Sequence, residues 1–199
     1  MRAALAGSIA VAVASGCSPS TPDGGPCGVV GDVSKPPSLE ILVMRGDQTV
    51  VPLADGDTAP MVFPPQGGRV VFVGVRATNL DGCGVQLTGA LRDLTSQQVR
   101  VDSRTVNLTS TGDGWASSAS EGASSFSNIA VCPNEWSTTD LFGNTYGLEV
   151  TVEDREKRTA TLKIHVTPQC SEPENLQECR CICKGGYVLG EACNDGGAE

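Results

Sequence analysis

The stretch YGLEVTVEDREKRTATLKIHV, residues 146–166, decides the fold. Apolar and polar residues alternate through 146–153 and again through 159–166. An alternation of period two is typical of a strand that buries one face and exposes the other. The polar run 154–158 between the two halves predicts a hairpin loop. If Glu153 faces Thr159, the apolar side chains of the two strands meet and Glu149 faces Lys163, so this register is self-consistent.

A single hairpin leaves its apolar face bare, so further strands must cover it. The hairpin resembles the closing hairpin of bacterial immunoglobulin-like and related sandwich domains, in which a run Y-x-L-x-V-x-V-x-D precedes a polar turn and T-A-T-L-x-I-x-V. The resemblance spans about twenty residues and implies a fold rather than a function. Together with turn-separated strand candidates elsewhere, it predicts an all-β, immunoglobulin-like antiparallel β-sandwich of about seven or eight strands.

The remaining strand candidates are 39–45, 49–53, 69–80, 85–92, 98–108 (with a break near Ser103) and 126–131. We expect the runs 69–80 and 85–92 to form a second hairpin around the turn at 81–84. Pro52 restricts its segment to a sheet edge or to irregular structure, because proline donates no ladder hydrogen bond. The segments 55–68, with three prolines, and 109–125, rich in Gly and Ser, are predicted as loops.

The first sixteen residues are typical of a cleaved signal peptide, with Arg2 before a short apolar run of small residues. The segment Ala14-Ser15-Gly16-Cys17 resembles the lipobox of bacterial lipoproteins, although that family usually has Leu where this chain has Ala14. The resemblance implies that Cys17 becomes the first residue of the mature protein and carries acyl chains such as palmitate. It also implies a location at the cell envelope. The next residue is Ser18 rather than Asp, which implies the outer membrane. The alternative is an ordinary signal peptide that leaves Cys17 as a plain thiol.

These features predict four segments. Residues 1–16 are the signal peptide, and 17–37, rich in Pro and Gly, are a lipid-anchored flexible tether. Residues 38–168 are the sandwich domain, and 169–199 are a Cys-rich tail that is too short for a core of its own.

Nine cysteines are an odd number for an exported protein, and setting Cys17 aside leaves eight that can close four disulfides. The disulfide candidates are Cys27, Cys83, Cys132, Cys170, Cys179, Cys181, Cys183 and Cys193. We expect Cys83 to pair with Cys132, and Cys27 with a cysteine of the tail. The end of the tail resembles the end of an EGF-like module, which implies a bond between Cys183 and Cys193. A metal site is the competing interpretation, but the single-residue spacing at 179–183 differs from that of zinc sites.

Composition argues against several function classes. The net charge of −9 disfavours a nucleic-acid partner, which requires clustered Lys and Arg. His165 is the only histidine and falls on the outer face of the hairpin, where a catalytic triad is not expected. No nucleotide, hydrolase or metalloprotease motif is present, so we predict no catalytic residue, no cofactor and no enzyme activity. The acidic stretches 55–57 and 153–156 have the composition of calcium loops, but solvated turns are favoured.

Trp115 and Trp136 fall in predicted loops, where a large aromatic side chain either packs onto the core or contacts a ligand. Core packing is favoured for both. An exposed one would be the best candidate for contact with a glycan or a protein. The sequence therefore predicts a lipid-anchored envelope protein that acts as a non-enzymatic binding or structural module. The alternative is a polysaccharide-binding accessory to an enzyme.

Overall fold

The computed structural model describes residues 27–193. The predicted signal peptide and the lipidation site Cys17 lie outside the described residues. The strands are β1 (Val29–Val30), β2 (Ser38–Met44), β3 (Val50–Pro52), β4 (Thr58–Met61), β5 (Arg69–Thr78), β6 (Leu80–Asp81), β7 (Val85–Asp93), β8 (Val99–Val106), β9 (Thr109–Ser110), β10 (Ala116–Ser117), β11 (Ser127–Cys132), β12 (Tyr146–Glu153) and β13 (Thr159–Cys170). Short 3₁₀ turns span Ala119–Ser125 and Pro173–Asn175, and one helix, α1, spans Leu176–Ile182. No helix within the described range has the length and apolar character that crossing a membrane requires.

Two main sheets enclose one core, so the expected all-β sandwich with a disulfide-rich C-terminal tail is confirmed. One sheet has the order β4-β13-β12-β7-β8. The other has the order β3-β2-β5, and the far edge of β5 is shared by β11 along its first half and by β10 along its second, with β9 paired to the other side of β10. The core consists mainly of aliphatic side chains from the inner faces of both sheets, as the low aromatic content predicts.

The hairpin of β12 and β13 forms in the predicted register. Glu153 faces Thr159 and Leu148 faces Ile164. On the outer face, the ammonium of Lys163 lies 2.7 Å from a carboxylate oxygen of Glu149. The loop 154–158 is less exposed to solvent than predicted. The carboxylate of Asp154 is buried and accepts hydrogen bonds from the backbone N–H groups of Asp81, Glu156 and Arg158.

The predicted second hairpin is wrong. The strands β5 and β7 are consecutive long strands, but they belong to opposite sheets: β5 pairs with β2 and β11, and β7 pairs with β8 and β12. The reason is that β5 is buried on both faces, since Val70 and Phe72 pack with Met44 and Phe126 in a second, smaller cluster outside the main core. A strand of this kind belongs in the middle of its own sheet.

Several segments that were predicted as loops contain short strands. Thr58–Met61, within the proline-rich segment 55–68, forms β4, which runs parallel to the end of β13. Its Pro60 is tolerated because β4 is an edge strand. The segment 109–125 contains β9 and β10, and β8 is continuous through Ser103 rather than broken there.

The tail is an extension of the main core rather than a separate unit. The strand β13 continues to Cys170, and Cys179, Ile182, Cys183 and Tyr187 are buried in the main hydrophobic cluster. The buried guanidinium of Arg69 in β5 also holds α1, donating to the carbonyl of Asn175 and to the carboxylate of Glu178.

Four disulfides join Cys27 to Cys83, Cys132 to Cys183, Cys170 to Cys179, and Cys181 to Cys193. The eight expected cysteines are therefore all paired, but three expected pairings are wrong. Cys83 does not bond Cys132, because these residues lie at opposite ends of the sandwich. Cys27 bonds Cys83 instead of the tail, and Cys181 rather than Cys183 bonds Cys193.

Residues 27–37 of the predicted tether lie against the body. Val29 and Val30 pair with β6, and the carbonyl of Gly28 accepts the N–H of Gly82. The body thus has two ends. The staple end carries the Cys27–Cys83 disulfide, and the tail end carries α1 and the other three disulfides. They are separated by the ten residues of β5, a length of about 30 Å.

Candidate functional site

Trp136 is a core residue, as favoured from the sequence. It is buried, its indole N–H donates to the carbonyl of Val131 at 2.9 Å, and its ring centroid lies 5.9 Å from that of Tyr146. The guanidinium of Arg100 covers another side of the ring at 5.8 Å. All of these contacts are internal, so Trp136 is not available to a ligand.

Trp115 lies in a different environment at the staple end. It precedes β10 and is half-buried, and the guanidinium of Arg76 lies 4.6 Å from its ring centroid. Carboxylates of Glu40 and Asp113 fix that guanidinium by ion pairs. The hydroxyl of Thr111 in turn donates to Asp113 at 2.6 Å. The result is a rigid indole beside polar groups on the outer face of the sheet, an arrangement that can contact a sugar or a polar protein surface.

A buried polar network fixes the loop 133–145 at the tail end. The carboxylate of Asp93, at the end of β7, accepts hydrogen bonds from backbone and hydroxyl groups of Thr95, Ser96, Ser137 and Thr138. Burial alone would raise the pKa of Asp93, but these hydrogen bonds outweigh it and hold the pKa well below its usual range. The hydroxyl of Tyr146 lies 2.6 Å from that of Ser137, and burial raises the pKa of the tyrosine. These groups are enclosed, so their role is to position the loop.

A groove of about 790 Å³ lies at the tail end. Its walls are the β2–β3 turn, the edge strands β3 and β4, and the start of the tail. It is lined by Val43, Arg45, Gly46, Asp47, Val51, Pro52, Leu53, Asp57, Thr58, Pro60, Gln169, Ser171, Glu172, Pro173 and Glu174. Four of these residues are acidic and one is basic, so the groove is polar and negative. It combines this rim with apolar side chains such as Val51 and Leu53.

The two strand edges that border the groove each carry a proline. Pro52 in β3 and Pro60 in β4 remove backbone donors from these edges, which disfavours the addition of a further strand. The carboxylate of Glu172 crosses the groove wall and accepts the N–H of Phe63 at 3.0 Å. The groove is therefore suited to side-chain contacts with a ligand rather than to backbone pairing.

The groups considered for catalysis or metal binding have other partners. His165 is exposed on the outer face, as predicted, and its ring lies 3.3 Å from the exposed carboxylate of Asp55. In the acidic stretches, Asp57 accepts the N–H of Ala54, and Asp154 forms an ion pair of 2.7 Å with Arg158. Among residues 27–193, the one clustered set of metal-ligand atom types is the sulfurs of Cys170, Cys179 and Cys183. These sulfurs are bonded in disulfides.

Comparison of the chain with protein-family models, curated proteins and solved structures gave no match. The candidate surfaces are therefore defined by the geometry of this chain alone. Trp115 is the one sequence-predicted ligand contact that keeps an accessible face. The groove was missed, because its walls come from segments more than a hundred residues apart in the chain, such as Gly46 and Glu172. The only local signals were the prolines at 52 and 60, which mark strand edges.

Proposed function

We propose that the chain is a bacterial cell-envelope lipoprotein, lipidated at Cys17, whose folded body acts as a non-enzymatic binding module. One observation carries the proposal: Cys27 is bonded to Cys83 at the staple end, whereas the groove of about 790 Å³ lies at the tail end. A body attached in this way has its groove at the end remote from the attachment point, where a partner in the envelope can reach it.

The disulfides support the proposed localisation in the cell envelope. Four disulfides are compatible with the oxidising conditions of the periplasm or the cell surface and uncommon in the cytosol. The polar clusters support binding rather than catalysis, since the buried carboxylates of Asp93 and Asp154 are occupied by structural hydrogen bonds.

The anchor is tested by the intact mass of the protein extracted from native membranes and alkylated without reduction. We expect the mass of residues 17–199 plus acyl chains, with no alkyl adduct. In the matched variant Cys17→Ala we expect no acyl mass and release from the membrane fraction. An unacylated native protein that carries an alkylated thiol would overturn the lipoprotein proposal.

The alternative function, a polysaccharide-binding accessory, is favoured by the half-exposed Trp115 beside the fixed guanidinium of Arg76. Its test is cosedimentation of the purified protein with isolated peptidoglycan sacculi. We expect Trp115→Ala to abolish cosedimentation, and Val188→Ala, a change at an exposed apolar residue of the tail, to leave it unchanged. Equal cosedimentation of both variants would exclude this role for Trp115.

A further inference from the structure

The edge strand β8 has its polar and apolar residues on unexpected faces. Its charged residues Arg100, Asp102 and Arg104 point toward the inside of the sandwich and are half-buried, whereas Val99 and Val101 face solvent. Two of these three charges are paired with each other, whereas Arg100 lies over the ring of Trp136 and has no hydrogen-bond partner at Nε. Asp102 pairs with Arg104 at 2.9 Å, and its carboxylate accepts the N–H of Asn128 at 2.8 Å. The outward side chains of Val99 and Val101 are 38% and 57% exposed to solvent.

These valines lie on the outer face of the five-stranded sheet, beside other exposed or partly exposed small and apolar residues. Val101 lies opposite Ala90 in β7, and the β7–β8 turn places Leu94, 43% exposed, beside Gly147. A Cβ atom at Gly147 would lie 3.3 Å from Cδ2 of Leu94. A depression of about 240 Å³ lies there, and Ala90, Leu94 and Gly147 are among the residues that line it. We call the surface formed by Ala90, Leu94, Val99, Val101 and Gly147 the apolar corner.

The rim of the apolar corner carries one exposed arginine without a carboxylate partner among the described residues, in a chain whose net charge is −9. Arg92, Lys163 and His165 border the depression, together with Glu149. Lys163 is paired with Glu149, and the ring of His165 lies 3.3 Å from the carboxylate of Asp55. Arg92 donates to the carbonyl of Gln97 and forms no ion pair with a carboxylate among the described residues. The rim therefore offers an exposed guanidinium directly beside an apolar depression.

We propose that the apolar corner is a docking surface for a segment of another protein that carries a large apolar side chain next to a carboxylate. The apolar side chain fills the depression at Gly147, and the carboxylate pairs with Arg92. Complementary charge at such a rim favours encounter with the correct partner. This inference rests on the proposed binding role of the body, but it does not depend on the lipid anchor.

Two other modes of association fit less well. A symmetric contact with a second copy would bring two Arg92 guanidiniums into one interface, because the same patch is used on both sides, and Glu149 is already paired with Lys163. Addition of a strand to β8 is hindered, because the hydroxyl of Ser127 already occupies the carbonyl of Asp102 at the middle of its free edge. The surface is therefore used through its side chains, by a different protein.

The test is photocrosslinking in the producing cells, with p-benzoylphenylalanine placed in the full-length chain at Val101 or, as control, at Thr105. Both residues are exposed on the same face of β8. We expect an adduct of defined mass at position 101 and none at 105, with the crosslinked peptide of the partner mapped by mass spectrometry to an acidic segment. Arg92→Glu should reduce this adduct by about tenfold or more, since it places like charges together. The control Arg155→Glu, at an exposed arginine of the hairpin loop, should not reduce it.

Four results would overturn the proposal: equal adducts at 101 and 105, an adduct to a second copy of the chain, an adduct to lipid, or an adduct that Arg92→Glu leaves unchanged. Circular dichroism and the melting temperature of each variant confirm that it is folded. A chain that is found not to be acylated would refute the anchor but would leave this readout intact, so the two failures are distinguishable.

Discussion

At the scale of single residues, Asp93 departs most clearly from the pattern around it. Val85, Leu87 and Leu91 point into the core from β7, and the same alternation would place an apolar residue at position 93. The buried carboxylate there is tolerated because hydroxyl and backbone donors of Ser137 and Thr138 converge on it. Since these donors lie more than forty positions away in the chain, the sequence alone does not reveal the site.

We predict that Asp93→Asn lowers the free energy of unfolding by about 2–4 kcal/mol near neutral pH, because its amide would turn a donor toward donors of Ser137 and Thr138. The folded-state pKa of Asp93 lies below its value in the unfolded chain. Its stabilisation is therefore complete above the unfolded pKa of about 4 and is lost as the pH falls toward the folded pKa.

Denaturant titrations of the wild type and Asp93→Asn between about pH 7 and about pH 3 test this prediction, because the difference between the two proteins should shrink as the pH falls. Glu156→Gln, at an exposed carboxylate, is the control and should show little difference at either pH. A difference for Asp93→Asn that does not change with pH would contradict the assignment.

Truncation of the two tryptophans should destabilise the fold to different extents. Trp136→Ala removes a buried ring and the hydrogen bond to Val131, and we expect it to cost about 3–5 kcal/mol. Trp115→Ala removes a half-buried ring and its contact with Arg76, and we expect a cost of about 1 kcal/mol or less. Denaturant unfolding of both variants measures the difference. A large loss at Trp115 would mean that its ring supports the fold rather than serving as a contact surface.

At the scale of secondary-structure elements, the β12–β13 hairpin was predictable because its information is local. Its partners are adjacent in the chain, so the alternation and the pairing of Glu149 with Lys163 fix one register. The interpretation of β5 and β7 failed for the opposite reason. Two alternating runs around a Gly-containing turn look like a hairpin, and nothing local shows that Val70 and Phe72 are covered on the second face by distant residues.

The disulfide pairing could not be predicted from the sequence either, since it depends on which strand ends lie close together in the fold. Cys132 lies at the tail end because it follows β11, which pairs with the first half of β5 opposite Arg69. Cys83 lies at the staple end, between β6 and β7. The sequence could show that eight cysteines pair, but not that β5 separates these two by its full length.

The tail disulfides should differ in their contribution to stability. Removal of Cys132–Cys183, which closes 51 residues, should cost about 4 kcal/mol from loop entropy, and removal of Cys181–Cys193, which closes 12, about 3 kcal/mol. Burial widens the gap, since Cys183 is fully buried and Cys181 only partly. Double alanine variants and denaturant unfolding measure both costs. A smaller loss for the Cys132–Cys183 variant would show that the tail contributes little to the core.

At the scale of the whole molecule, the features fall into two regions. The staple end holds the polypeptide that follows the proposed anchor, through the Cys27–Cys83 disulfide and the pairing of Val29 and Val30 with β6. The tail end holds the groove and the Asp93 network. The β5 strand joins the two regions, and separate sets of contacts stabilise each. This arrangement lets the N-terminal segment loosen without disturbing the groove.

We therefore predict that Cys27→Ser combined with Cys83→Ser loosens one end only. Under native conditions, amide hydrogen exchange should speed up at Val30 and Gly82, whose pairing depends on the docked segment, and should remain slow in α1. The matched variant, Cys181→Ala with Cys193→Ala, should show the reverse pattern, with faster exchange near α1 and unchanged exchange at Gly82. Each comparison uses residues at both ends of the same molecule. A general loss of stability would therefore speed up amide hydrogen exchange at both ends. Faster exchange at both ends in either variant would mean that the body opens as a single cooperative unit, and that a pull on the tether would reach the groove.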